Sequence, residues 1–145
     1  MYNLIVKGTQ SQKLIDYVER VHTYLGLDRY HDCLVNVDFT PRCVGGAAGY
    51  ANGDEDEVYV EIARSDLVGR IGIDDVKVNL AHEMVHALQL ASGRLIQGGF
   101  VMVDHRLAAQ NIWEGEELIG VPYDEQPWEI EAYKLEKEVY YACCK

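Results

Sequence analysis

His82-Glu83-Met84-Val85-His86 sets two imidazoles four residues apart, with a carboxylate directly after the first. On an α-helix the two rings fall about 40° apart and Glu83 lies about 100° from His82, so all three project from one sector. Two imidazoles stacked one turn apart can grip a single divalent ion. Glu83 is too offset to be a good ligand but is placed to accept a proton from water activated at that ion. A four-coordinate catalytic site needs one more protein ligand and leaves the last position to water. Downstream candidates are Asp104, His105, Glu114, Glu116, Glu117, Glu129 and Glu131. Glu129 and Glu131, two apart at the start of a predicted helix, point about 200° away from each other, so they cannot both face the ion.

The elements that must position these groups are legible from periodicity. Residues 1–8 alternate weakly and predict a short strand. Thr9 and Gln12 resemble a capping box ahead of Leu14, Ile15, Val18, Val21 and Leu25, which predicts a helix over about 10–25, stopped by Gly26. Residues 34–39 and 58–62 alternate as strands. The Gly-, Asn- and Asp-rich stretch 42–56 reads as a loop or hairpin at the edge of a cleft. A helix capped by Asp74 or Asp75 runs to about Ser92 and stops at Gly93, with Val76, Leu80, Met84, Ala87, Leu88 and Ala91 on an apolar face away from the histidines. Residues 100–103 suit a strand or the start of a helix, Trp113–Glu116 a turn, and Tyr123–Pro127 a loop. Pro127 opens a last helix over about 127–142. The expected fold class is α+β: a single domain over 1–145, with an N-terminal helix, a small mostly antiparallel or mixed sheet, the helix bearing the histidines and a C-terminal helix.

Composition removes several function classes. The 145 residues carry a formal net charge of −11. That disfavours nucleic acid and anionic membranes as partners, since both require basic patches. The glycine stretch lacks the Lys-Ser/Thr ending and the following helix of a phosphate cradle. Four cysteines without a Cys-x-x-Cys pair are expected to be reduced thiols. The N-terminus lacks the charged-apolar-small order of a secretion signal, so a cytoplasmic protein is expected. His22 is expected at the polar edge of the first helix, His31 in a solvated loop, and Trp113 and Trp128 as packing anchors.

His82-Glu83-x-x-His86, followed by Pro127-Trp128-Glu129-Ile130-Glu131-Ala132, resembles the gluzincin side of the zincin metallopeptidases. It looks most like small phage and bacterial metallopeptidases near SprT-like and ImmA/IrrE-like domains. The longer zincin signature, with Gly and His three and six residues past the second histidine, is absent, because Gln89 and Ser92 stand there. The resemblance implies Zn2+ held by His82, His86 and Glu129, the last in a Glu-x-x-Ala setting ending at Ala132, with Glu131 as the alternative. It implies that Glu83 is the general base of peptide hydrolysis on a peptide or protein substrate. It also implies that strand Glu57–Ile62 lies at the cleft edge. Tyr123 and His105, both between the ligand helices, are candidates to stabilise the oxyanion. The chain departs from many relatives in having Tyr133, not an acid, four residues after Glu129. The alternative is a binding or regulatory module that keeps the zincin fold and the zinc but has little proteolytic activity.

Overall fold

A computed structural model describes residues 3–144, an α+β arrangement of three helices and two small sheets. Strands β1 (Leu4–Lys7), β2 (Leu34–Thr40), β3 (Gly49–Gly53) and β4 (Glu57–Ala63) form a mixed sheet in the order β1-β2-β4-β3. β1, β2 and β4 run parallel, while β3 is antiparallel to β4. The predicted strand over 1–8 is β1; Met1 and Tyr2 lie outside the described residues. β4 lies between β2 and β3, so both of its ladders are filled. The edges are β1 and β3, and it is β3 that lines the cavity beside the histidines, which corrects the expectation that Glu57–Ile62 borders the cleft.

Helix α1 (Gln12–Tyr24) buries Leu14, Tyr17, Val18 and Val21 at the predicted spacing. Its N-cap is Ser11, whose hydroxyl accepts from the Leu14 N–H, and not Thr9, whose hydroxyl accepts from the Ser11 N–H one turn earlier. His22 is buried on this helix, not at its polar edge, and its Nε2 has no hydrogen-bond partner among the described residues. Helix α2 (Ile73–Ala91) starts at Gly72, with Asp74 and Asp75 in the first turn and not at the cap. There their charge complements the helix N-terminus. The helix ends where Gly93 takes a left-handed φ of 75°. Val76, Leu80, Met84, Ala87 and Ala91 are buried in the core with Val35, Val37, Val58, Val60 and Ile62 of the sheet. Helix α3 (Pro127–Cys143), opened by proline, buries Trp128, Ala132, Val139 and Cys143 along one stripe. It lies against both α1 and α2. Cys33, Cys43, Cys143 and Cys144 are all free thiols. Among the described residues no helix is long and apolar enough to cross a membrane.

The segment between α2 and α3 departs most from expectation. It is an antiparallel sheet of β5 (Leu95–Val103), β6 (Arg106–Trp113) and β7 (Glu116–Ile119). Asp104 and His105 take φ of 49° and 65° and close the β5–β6 turn. Glu114 and Gly115, at 51° and 86°, close the next one. Consecutive positive φ is the signature of two-residue hairpin turns, and non-glycine residues there hide it from the sequence. Gly98 and Gly99 form a bulge, and a side chain at Gly98 would strike the Gln110 carbonyl.

Candidate metal centre

α2 presents His82 and His86 side by side, with ring centroids 4.9 Å apart, and the first turn of α3 brings Glu129 to them. His82 Nε2 lies 3.0 Å from Glu129 Oε1, and His86 Nε2 lies 3.1 Å from Glu129 Oε2. One ligand atom from each of the three residues falls within 4.8 Å of the others, a group able to hold a metal ion. The face carrying the histidines is not solvated: α3 covers it, and His82 and His86 are only 7% and 6% exposed.

Each imidazole is fixed by its other nitrogen. His82 Nδ1 meets Glu136 Oε2 at 2.8 Å, and His86 Nδ1 meets Gln89 Oε1 at 2.8 Å. The Gln89 amide is oriented by its own donations to the Trp128 carbonyl and to Glu131 Oε1, each at 3.0 Å, so its oxygen faces His86. Both acceptors demand an Nδ1–H, which in the neutral imidazoles leaves both Nε2 atoms with lone pairs facing Glu129. Acceptors facing each other at about 3 Å repel unless a cation joins them. A proton serves badly at His86, whose Nε2 makes no hydrogen bond of acceptable angle despite the 3.1 Å approach. The residues present fit a divalent metal.

The histidines and the carboxylates around them shift one another's titration. Burial depresses His82 and His86, but the facing Glu129 and the other nearby carboxylates outweigh it, and both titrate above the ordinary histidine value. Burial raises the Glu129 carboxyl, yet its histidine partners overrule this and hold it down to about 2. Glu83 responds differently. Burial pushes its carboxyl above the ordinary glutamate range, and the adjacent His86 and His82 offset that only in part. Its carboxylate has no side-chain hydrogen bond among the described residues and borders a cavity of about 290 Å³ shared with the metal group.

The cavity has three walls. β3 contributes Gly49, Tyr50 and Ala51, the second sheet contributes Leu95, Gln97 and Asn111, and Tyr123, Gln126 and Trp128 close the α3 side. Gly49 is tight here, since a Cβ would sit 2.9 Å from the Glu61 carbonyl and 3.2 Å from Glu83 Cγ. Tyr123 donates from its hydroxyl to Glu129 Oε1 at 3.0 Å and meets the Tyr133 hydroxyl at 3.0 Å. Tyr133 in turn packs edge-on against His82.

Other sequence candidates lie elsewhere. His105 is exposed in the β5–β6 turn and does not line the cavity, so the geometry gives it no place beside the ion. Asp104 shares that turn. Glu131 is turned from the ion, as its angular separation from Glu129 requires, and forms a bidentate pair with Arg94 at 2.9 and 2.8 Å. Glu114 faces Arg94 at 3.8 Å, and Glu117 accepts from Gln110. Trp113 and Trp128 pack against each other. The residues not foreseen are Glu136 and Gln89. Glu136 stands seven after Glu129, two helical turns on and so on the same face, which a search four residues on does not reach. No family model, curated protein or solved structure matches the chain.

Proposed function

We propose that the protein is a zinc-dependent peptidase of the zincin type, with His82, His86 and Glu129 as ligands and Glu83 as general base. The supporting observation is one cavity bordered by two imidazole Nε2 atoms, that of His86 without a hydrogen-bond partner, a carboxylate facing both, and a second carboxylate free of them. Two nitrogen donors, one oxygen donor and an adjoining open space form the donor set of a catalytic zinc. When bound, zinc supplies Lewis acidity that polarises a carbonyl and brings the pKa of water toward neutrality.

The chain's own groups account for the rest. Glu83, with its pKa raised by burial, is matched to accept a proton from the attacking water and to return it to the leaving amine. Tyr123 stays protonated, because burial and its hydrogen bonds with Tyr133 and Glu129 hold its pKa well above the ordinary tyrosine value. It is therefore a donor to developing negative charge and not a base. Ala63 N–H donates to Ala48 C=O and Asp54 N–H to Glu57 C=O, so alternation turns Gly49, Ala51 and Gly53 outward from the sheet. The backbone groups of Gly49, with the Ala51 N–H, can pair with an extended peptide, the role expected of a cleft-edge strand.

Elemental analysis of purified protein should give one zinc per chain. The zinc-loaded protein should cleave a diverse peptide library, while Glu83→Gln keeps its zinc and loses at least about 100-fold in turnover. Equal turnover by both proteins, or zinc binding with no cleavage by either, contradicts the peptidase reading, and the second result leaves a zinc-binding module.

A further inference from the structure

Gln97 interrupts the open edge of β3. Its Oε1 accepts from the Gly53 N–H at 3.1 Å and its Nε2 donates to the Ala51 carbonyl at 3.2 Å. The side-chain amide thus occupies the place of one peptide unit of a pairing strand. On the cavity side of that amide the outward groups of Gly49 and the Ala51 N–H have no side-chain partner among the described residues. A chain paired there cannot continue along β3 past Ala51 and must leave over the face of β5–β6 that carries Gln97.

That face can be traced residue by residue. Gln97 pairs with Asn111, and both line the cavity. Beyond the Gly98-Gly99 bulge, Phe100 pairs with Ala109 and Met102 with Leu107. Ala109 and Leu107 follow Asn111 at two-residue steps, so Phe100, Met102 and Leu107 share its face. They are 72%, 63% and 71% exposed, an apolar strip continuous with the cavity wall. Leu107 stands four residues along β6 from Asn111, about 14 Å at about 3.4 Å per residue.

We propose that this face is a docking strip for large apolar side chains of an extended polypeptide substrate, and that Gln97 steers the substrate onto it. The inference rests on the peptidase reading. Continuity with the cavity identifies the occupant as the chain whose scissile bond lies at the metal. The charge around the cleft sets its character: Glu83 and Glu129 line the cavity, and Asp54, Glu55 and Asp56 flank β5. The preferred partner is apolar with basic residues interspersed, and a second copy of a chain with net charge −11 is a poor fit. The substrate class is extended protein segments reaching about four residues past the cavity, and not short peptides.

The probe is a fluorescein-labelled twelve-residue peptide alternating Leu or Phe with Lys or Ser, read by anisotropy against zinc-loaded Glu83→Gln protein. Adding Phe100→Thr and Leu107→Thr, which keep strand propensity, should raise its Kd at least tenfold. A matched peptide with Ser at the apolar positions should bind weakly to both proteins. With Glu83 restored, the strip substitutions should cut kcat/KM on the twelve-residue peptide about tenfold through KM and leave a four-residue substrate unaffected. Unchanged Kd overturns the strip, even if peptides are cleaved. A dimer in sedimentation that the two substitutions dissociate, with peptide affinity unchanged, overturns it in favour of self-association. A tenfold loss of binding in a protein that cleaves nothing upholds the strip and removes the peptidase reading alone.

Discussion

Gln89 and Glu136 do for the two imidazoles what the HExxH pentad cannot do for itself. Each accepts an Nδ1–H and so aims the opposite nitrogen at the ion. Replacing Gln89 with Leu leaves the His86 Nδ1–H buried without an acceptor, and Glu136→Ala does the same at His82. Each should lower zinc affinity about 10–100-fold in chelator competition. Glu136→Gln, which keeps an acceptor oxygen, should recover most of that loss; a loss as large as that of Glu136→Ala would deny the orienting role. The grouping of His82, His86 and Glu129 was legible, because periodicity puts the two histidines together and the Glu-x-x-Ala resemblance favours Glu129. What selects Glu129 over Glu131 physically is Arg94, which claims Glu131 through two hydrogen bonds and follows α2 directly in the chain. No pattern in the sequence announces a partner 37 residues away. Glu129→Ala should therefore release zinc. Glu131→Ala should retain it and cost no more than about 1 kcal/mol of stability, since its ion pair is partly exposed.

The elements hold these residues by packing, and β3 does so most closely. Its backbone at Gly49 runs against Glu83, where only a hydrogen fits. Gly49→Ala should shift β3 or the Glu83 side chain by a few tenths of an ångström and lower kcat at least about tenfold, while zinc content stays at one per chain. An unchanged kcat would show that β3 does not position the base. At this scale the sequence was uneven. The three helices were readable because apolar residues recur at 3.6-residue spacing, although the last helix buries Trp128, Ala132, Val139 and Cys143 and leaves Ile130 and Tyr133 exposed. The β5–β6–β7 sheet was not. The turn at Glu114-Gly115 was legible, but the β5–β6 turn uses Asp104-His105 where Asn-Gly or Asp-Gly would have signalled a hairpin, and the middle of β5 is broken by two glycines. The strand order was equally hidden, since nothing in β3 or β4 alone says which of them takes the edge.

For the whole molecule, the metal group ties α2 to α3 and links stability to pH. In metal-free protein His82 and His86 titrate above their unfolded value of about 6.5, so their contribution is complete below that pH and is lost as pH rises through the raised values. Glu83, raised as well, acts in the same sense. Glu129, held at about 2, contributes above its unfolded value and loses that contribution as pH falls through 2. Chelator-treated protein should therefore have its highest Tm near pH 5–6, roughly between the unfolded carboxylate and histidine values. On the proposed reading zinc would take the place of those protons, so the rise in Tm on adding zinc should be larger at about pH 8 than at about pH 5.5. At 1,000-fold excess over Kd the zinc should add about 4 kcal/mol. A zinc increment equal at both pH values would contradict the proton–metal exchange.

Anomalous diffraction at the zinc edge from zinc-loaded crystals is the most direct measurement. The account predicts one strong peak in the cavity, bonded at about 2.0–2.2 Å to His82 Nε2, His86 Nε2 and a Glu129 carboxylate oxygen. No peak there, or a zinc held by Glu131 or by His105 in place of Glu129, would contradict it.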